Sequence, residues 1–374
     1  MGEVRSYRPG MVMVSRILVV GAGIAGLATA VALQRHGFRP EVVEARARPP
    51  MEGAAITVHG NGVRALRALG VGDALDAAGA VVPRWACHDR GGALLCETDL
   101  AALWDGVAPC VGVTRHLLTA ILQEAAADVP LRFACRVTGL RQDDHVGVTF
   151  GDGSCRDYDL VVGADGIGST VRRLAVSDVV PSRTPTFGWR CVVAGRPAGV
   201  DHLVLLLGEG CFVGLVPVGG GRTYGFAGAN AAGAPLRDRL TEFGGPVPEF
   251  LARLGDTTPH IAPLCSVTLD RWHDRRVVLV GDAAHAAYPH MGQGGSLAVE
   301  DALVLADELA HADTLASALD AHARRRRPRV EWVQEQSSRA AAAWALPTAE
   351  RDAALRAHGD RLLQERYRPL RDLP

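Results

Sequence analysis

Four groups of residues in this chain have the types and spacing that chemistry on a bound group would require. The first is Gly21-Ala22-Gly23-Ile24-Ala25-Gly26, followed 18 residues beyond Gly26 by Glu44. Glycines at that spacing let a backbone turn meet a pyrophosphate, and the distant acid can accept a ribose hydroxyl. The second is Asp165, within Gly163-Ala164-Asp165-Gly166-Ile167-Gly168-Ser169-Thr170-Val171-Arg172. The third is Gly281-Asp282, an acid placed where its carboxylate can take ligand hydroxyls. The fourth, Gly292-Gln293-Gly294-Gly295-Ser296, is a glycine loop before a helical pattern, so free N–H groups and the positive dipole end would form an anion cradle. His59 and His290 add imidazoles that titrate near neutrality and can act as bases, while His285, inside the third group, reads as structural. Arg190 and Arg222 are candidate fixed cations, and Tyr224 shares a strand face with Arg222 by the period of two.

These residues need elements to hold them. Residues 16–20, 41–44, 160–162 and 277–280 are short apolar, β-branched runs that predict strands, the last buried on both faces. A helix is expected from the first glycine group to about Gly37, and another from Leu297. Three strand ends, at Gly21, Asp165 and Asp282, suggest one sheet whose carboxyl ends converge on one extended ligand. The uncharged run 17–33 is accordingly read as strand, turn and helix, being also short of the ~20 residues of a membrane span. Helices are expected over 63–69 and 117–127, and strands over 131–137 and 146–150, the latter joined to 160–162 by Gly151-Asp152-Gly153.

Between 85 and 104 the pattern becomes short and alternating around Gly91-Gly92. From 181 to 269 strands are expected over 186–193, 202–207, 211–216 and 223–227 with glycine and proline turns. That predicts a second, antiparallel sheet. The fold class is therefore α/β: a Rossmann-like, discontinuous nucleotide-binding domain (14–80, 108–178, 270–320), a mainly antiparallel β-sheet domain (81–107, 179–269) and C-terminal helices (321–374). Residues 1–13 are expected to be disordered.

Composition excludes several classes. Forty Lys+Arg against 41 Asp+Glu give a net charge of -1, which argues against nucleic-acid or anionic-membrane partners. No lysine occurs anywhere, so Schiff-base and P-loop lysine mechanisms are excluded. Eight scattered cysteines without a CxxC pair predict buried, reduced thiols in a cytoplasmic protein. The run Arg324-Arg325-Arg326-Arg327 reads as a solvated helix face.

GAGIAG with Glu44, GADGIGSTVR and VGDAAHAAYPHMGQGG, in this order and roughly this spacing, resemble the single-component FAD-dependent aromatic hydroxylases of the para-hydroxybenzoate hydroxylase superfamily, over about residues 16–335. GAAITVHGNGVRALRALGVGD and PVGGGRTYGF are most similar to the urate hydroxylase branch, with salicylate and 6-hydroxynicotinate hydroxylases nearby. The resemblance implies FAD, with its pyrophosphate at Gly21, Gly23 and Gly26 beside Ile24 and Ala25, and its adenosine ribose at Glu44 and Ala45. It further implies FAD contacts at Thr57, Arg115 and Val137, and a shared FAD and NAD(P)H role for Asp165. Gly281 and Asp282 would hold the ribityl or pyrophosphate region, and Pro289, Gly292, Gln293, Gly294, Gly295 and Ser296 would line the flavin.

Arg222 matches a substrate-facing arginine of that branch, with Arg190, Tyr224, His59 and His290 as further catalytic candidates. The implied reaction uses NADPH or NADH and O2 to hydroxylate a small electron-rich aromatic or heteroaromatic substrate through a flavin 4a-hydroperoxide. The partners expected are that substrate and O2, with no nucleic acid and no membrane, in a monomer or homodimer. Thr223-Tyr224-Gly225-Phe226-Ala227 departs from the aromatic run of the urate enzymes, so the pocket wall differs. An FAD reductase or oxidase without oxygen transfer, and an epoxidase or Baeyer-Villiger enzyme tailoring a natural product, stay open. A lysine-dependent flavin halogenase does not fit a lysine-free chain.

Overall fold

A computed structural model describes residues 14–48, 54–230, 236–255 and 257–374; the expected disordered stretch 1–13 lies outside them. The chain opens with β1 (Ile17–Val20), α1 (Ile24–Arg35) and β2 (Pro40–Val43), then β3 (Ala55–Val58), α2 (Gly60–Ala68), α3 (Gly72–Ala78) and β4 (Ala80–Val81). Next come β5 (Arg84–Asp89), β6 (Leu94–Asp99), α4 (Leu100–Leu103), β7 (Val111–Thr114) and α5 (Arg115–Ala125). β8 (Leu131–Arg132), β9 (Val137–Gln142), β10 (Val146–Phe150), β11 (Cys155–Tyr158) and β12 (Leu160–Gly163) lead to a π turn, Arg172–Val176. β13 (Ser182–Ala194), β14 (Leu203–Leu207), β15 (Cys211–Val218) and β16 (Arg222–Asn230) are followed by α6 (Leu236–Leu240), α7 (Val247–Leu254) and β17 (His260–Ser266). The chain closes with β18 (His273–Asp274), β19 (Val277–Leu279), α8 (Asp282–His285), a 3-10 turn (Pro289–Met291), α9 (Gly294–His311), α10 (Leu315–Trp344), α11 (Thr348–Tyr367) and a last turn, Arg368–Arg371.

The first sheet runs β18-β19-β12-β1-β2-β8. β1, β12 and β19 are wholly buried, which is why their sequences are runs of Val, Ile and Leu rather than alternating. They are parallel and level, with Val20 beside Gly163 and Gly163 beside Leu279. The three candidate groups after them therefore emerge at one edge. α1 and α9 pack against each other, bringing the two glycine loops onto the same side.

The second sheet runs β17-β13-β16-β15-β14-β5-β6. Its alternation sorts residues by face. Trp189, Val204, Leu206, Val213 and Leu215 pack beneath Phe250 and Leu254 of α7. Trp85, Cys87, Leu205, Val216 and Tyr224 join the core shared with the first sheet. The sheet is not wholly antiparallel, because β14 pairs with β5 in parallel. β5 enters from the nucleotide-binding part by a crossover, not a hairpin, so its direction is set by that connection.

The second sheet is thus mainly antiparallel, as expected, while four other expectations are corrected. Residues 131–137 are not one strand: Ala134 has φ 52, and that left-handed residue separates two-residue β8 from β9. The strand after Gly151-Asp152-Gly153 is β11, which closes a small antiparallel sheet with β10 and β9 before β12 begins. The arginine run is not uniformly solvated, since Arg326 is 0% exposed and pairs with Glu300 and Asp301 at 2.8 Å each. All eight cysteines are free, but only Cys87, Cys110 and Cys191 are buried, and Cys155 on edge strand β11 is exposed. Among the described residues no helix is long and apolar enough to cross a membrane.

Candidate active site

The glycine fingerprint divides into packing and access. A Cβ on Gly26 would lie 1.8 Å from the carbonyl oxygen of Gly21, and one on Gly21, whose φ is +111°, would lie 2.5 Å from that of Ala164. These two hold turn, helix and β12 together. A Cβ on Gly23 would meet no protein atom within 4 Å. Gly23 is also the N-cap of α1 and no side chain caps it, so the first N–H groups, including those of Ile24 and Ala25, are open to a ligand. Glu44 stands beside them: its Oε2 accepts from the Ala22 N–H at 3.0 Å and its Oε1 from the Arg46 N–H at 2.9 Å. Ala45 is exposed, and the chain returns to Glu44 through a bond from the Cys135 N–H, which brings buried Val137 close behind.

At the neighbouring strand ends the two acids differ. Asp165 is satisfied locally, accepting from Ser169 Oγ at 2.5 Å and from the backbone of Thr170 and Val171 at 2.6 and 3.1 Å. Asp282 is exposed and its carboxylate has no hydrogen-bond partner among the described residues; one oxygen lies 3.8 Å from the place a Cβ on Gly294 would occupy. The preceding Gly281 donates its N–H to Asp301 at 2.9 Å. α9, like α1, starts without a side-chain cap, so Gly294, Gly295 and Ser296 present free N–H groups. Ile56 abuts Gly295, with Thr57 half-buried next to it, and exposed Arg115 is held at the start of α5 by its N–H bond to Ala54.

Behind the second glycine loop lies a buried polar chain that single motifs do not announce. Asn61 donates to Gln293 at 2.9 Å and to Glu300 at 3.0 Å, and Gln293 donates back at 3.2 Å. Glu300 pairs with Arg326, Arg326 with Asp301, and Asp301 with His285 Nε2 at 2.6 Å. Burial alone would raise the Asp301 pKa, but the charges of His285 and Arg326 overcome it and hold the carboxyl well below its usual range. His285 is therefore structural, as expected. His59 is 1% exposed, stacks on Tyr367 with centroids 4.7 Å apart, and has its pKa lowered by burial to about 4.

Over the loop, the second sheet presents a cluster of aromatic rings. Phe212 on β15 is its centre, with Phe226 at 6.4 Å, His290 at 6.1 Å and Trp344 at 4.9 Å between centroids. Tyr224 lies 5.6 Å from Phe226, and Tyr288 6.5 Å from His290. The rings can lie on the sheet because each stands opposite a glycine: Phe226 over Gly214 and Phe212 over Gly228, where a Cβ would meet the ring at 2.1 and 2.5 Å. The Tyr224 phenol is pushed up to about 12 by burial, partly offset by the charges of Arg190 and Arg115. His290 has its pKa lowered to about 4 by burial and by the charge of Arg366, and its buried Nδ1 has no partner.

The structure thus brings Arg190, Tyr224 and His290 to one ring cluster. It keeps His59 beneath the loop, its Nε2 3.1 Å from a Cβ position on Gly292. Arg222 sits at the hairpin end, its Nε bonded to the Gly219 carbonyl at 3.1 Å. Pro289 is exposed on the turn that carries His290. Phe212, Phe226, Tyr288 and Trp344 were missed. Only Phe226 had a sequence signal, the period of two from Tyr224; the others arrive from distant elements. A separate cavity of about 960 Å³, lined by Arg16, Phe38, Glu41 and Arg156, opens at the amino ends of the first sheet and is not part of this site.

Comparison with known proteins gives the same reading. The FAD binding domain family matches residues 15–226 and 257–337. The FAD-dependent urate hydroxylase of Klebsiella pneumoniae is 34% identical over 84% of this chain and 86% of its own. The aurachin C monooxygenase/isomerase of Stigmatella aurantiaca is 34% identical over 78% and 79%. The structure of Klebsiella pneumoniae HpxO complexed with FAD and uric acid superposes with a TM-score of 0.79 at 31% identity, covering 96% of this chain and 92% of that one. With two uncapped helix starts, an open position at Gly23 and an unpartnered acid at Asp282 fitting FAD, the chain belongs to the FAD binding domain family of FAD-dependent monooxygenases that includes the aromatic hydroxylases.

Proposed function

We propose that this flavoprotein uses NADH or NADPH and O2, in the cytoplasm, to hydroxylate a small electron-rich aromatic or heteroaromatic substrate held in a chamber beside the ring cluster. The observation that carries this is the ring cluster: Phe212, Tyr224, Phe226 and Trp344 gather beside His290, two residues before the loop that opens α9. Aromatic walls favour a planar ligand and exclude water. FAD, when bound, supplies hydride acceptance and oxygen activation.

The protein's own residues bind, orient and set charge. The N–H groups at Gly23, Ile24 and Ala25 take the pyrophosphate, and Glu44 exchanges its Ala22 bond for a ribose hydroxyl. Asp282 and Thr57 receive the linker hydroxyls, and the start of α9 favours negative charge on the ring system. Asp165 contributes by fixing its turn, because its oxygens are already bonded. Arg190 and Arg115 lend the chamber a positive field that favours an ionised, nucleophilic substrate. Tyr224 stays protonated throughout ordinary pH and acts as a hydrogen-bonding group, while neutral His290 is the base nearest the rings. The test follows NADH and NADPH oxidation and peroxide release by the FAD-loaded protein with urate, salicylate, hydroxynicotinates and phenols. One ligand accelerating oxidation without matching peroxide is the expected result; equal peroxide for every ligand identifies an oxidase instead.

A further inference from the structure

Cys87 on β5 and Cys96 on β6 stand directly opposite each other in an antiparallel pair, and both are free thiols. The other strand cysteines face different residue types: Cys155 faces Thr149, Cys191 faces Gly225, Cys211 faces Ala229 and Cys265 faces Arg183. Opposed residues of antiparallel strands have Cα atoms ~4.5–5.5 Å apart, within the ~4.4–6.8 Å that a disulfide spans. The two side chains also share a side of the sheet, since Cys87 belongs to the core between the sheets and Cys96 packs against that core. Backbone spacing and side-chain direction therefore both suit an S–S bond.

The two thiols are unequal. Cys96 is partly exposed while Cys87 is buried. Interaction with Cys87 lowers the Cys96 pKa from its ordinary value, against burial and the charge of Asp360, whereas interaction with Cys96 and burial raise that of Cys87. That division suits a nucleophilic Cys96 and a resolving Cys87. The pair also lies where a new bond would be felt. α11 packs on β6, and its Gly359 makes room for Cys96, because a Cβ there would fall 2.4 Å from the Cys96 Sγ. Two residues along the same strands, Thr98 donates to Asp360 of α11 at 2.7 Å, and Trp85 opposite it meets Tyr367 with centroids 6.2 Å apart. The Tyr367 hydroxyl in turn donates to the Met291 carbonyl at 2.8 Å, beside the glycine loop that opens α9.

We propose that Cys87 and Cys96 form a reversible disulfide site whose oxidant is hydrogen peroxide. The Cys96 thiolate attacks one peroxide oxygen, the O–O bond breaks, and the departing hydroxide leaves as water with the Cys96 proton. Cys87 then attacks the sulfenic sulfur of Cys96. The S–S bond forms, the S–O bond breaks, and hydroxide leaves with the Cys87 proton as a second water. The two thiols lose two electrons and the peroxide gains them. In the test, the FAD-loaded protein is treated with hydrogen peroxide, its remaining thiols are alkylated in denaturant, and it is digested after arginine without reduction. The expected product joins peptides 85–90 and 91–115 with Cys110 alkylated, consumes two of the eight thiols, and is undone by dithiothreitol. Cys155→Ser, which removes the exposed thiol, gives the same link, and Cys96→Ser gives none. Peroxide that leaves all eight thiols free, or that carries Cys96 to its sulfinic acid without a link, overturns the proposal. So does a link from either cysteine to a different one, or a link that forms only in urea. These outcomes are read on the wild type, so they stand even if Cys96→Ser fails to fold.

Discussion

Gly23→Ala separates cofactor binding from folding at the first glycine loop. The new Cβ would meet no protein atom within 4 Å, and the residue's φ of -83° and ψ of -172° suit alanine. Alanine at an N-cap costs apoprotein stability only about 1 kcal/mol or less relative to glycine. If the pyrophosphate uses this space, the methyl group displaces it from at least one backbone N–H. Losing one such charged hydrogen bond is worth ~1.5–3 kcal/mol, or a ~10–150-fold rise in the FAD dissociation constant. Gly26→Ala is the control, because its Cβ would fall 1.8 Å from the Gly21 carbonyl oxygen. Relief requires backbone movement, at or beyond the top of the ~1–3 kcal/mol usual for overpacking. Thermal melts of the apoproteins, with FAD titrations read by quenching of flavin fluorescence, give both quantities. Gly23→Ala binding FAD as the wild type does would show that the pyrophosphate lies elsewhere. A Gly23→Ala melt as low as that of Gly26→Ala would show that Gly23 serves packing.

Asn61→Ala leaves Gln293 and Glu300 short of a hydrogen-bond partner in the interior, so the apoprotein should lose ~1–3 kcal/mol by urea denaturation. FAD affinity should fall with it, and an unchanged affinity in a weakened protein would detach this network from the loop. Acid stability should follow the buried histidines. His59 and His322 are fully buried and burial lowers each pKa from 6.5 to about 4. Between those values the unfolded chain binds protons that the folded chain refuses, so the stability they contribute is complete above pH 6.5 and is lost as pH falls towards 4. The slope reaches ~1.4 kcal/mol per pH unit for each. Because His290 carries the same shift, His322→Leu should remove roughly a third of the pH dependence of apoprotein urea midpoints between pH 6.5 and 5, and an unaltered slope would contradict the assignment.

The local sequence of this chain determined the elements whose causes are local. Gly21, Gly23 and Gly26 after a Val-rich run, and Gly292 to Ser296 before an apolar helix, specify strand, turn and open helix start over a few residues. Runs buried on both faces announced that Asp165 and Asp282 would end parallel strands, and level register then brought them to one edge. The fates of those two acids were not legible, because Asp165 is occupied by Ser169, Thr170 and Val171 while Asp282 is left open. The ring cluster was decided only in three dimensions. Phe212 meets Trp344 from 132 residues away, and Arg326 leaves a solvated-looking run because Glu300 and Asp301, on α9, stand opposite it. Periodicity reports which face of an element is apolar. It carries no information on which distant ring or charge will stand against that face, since that depends on how the layers pack.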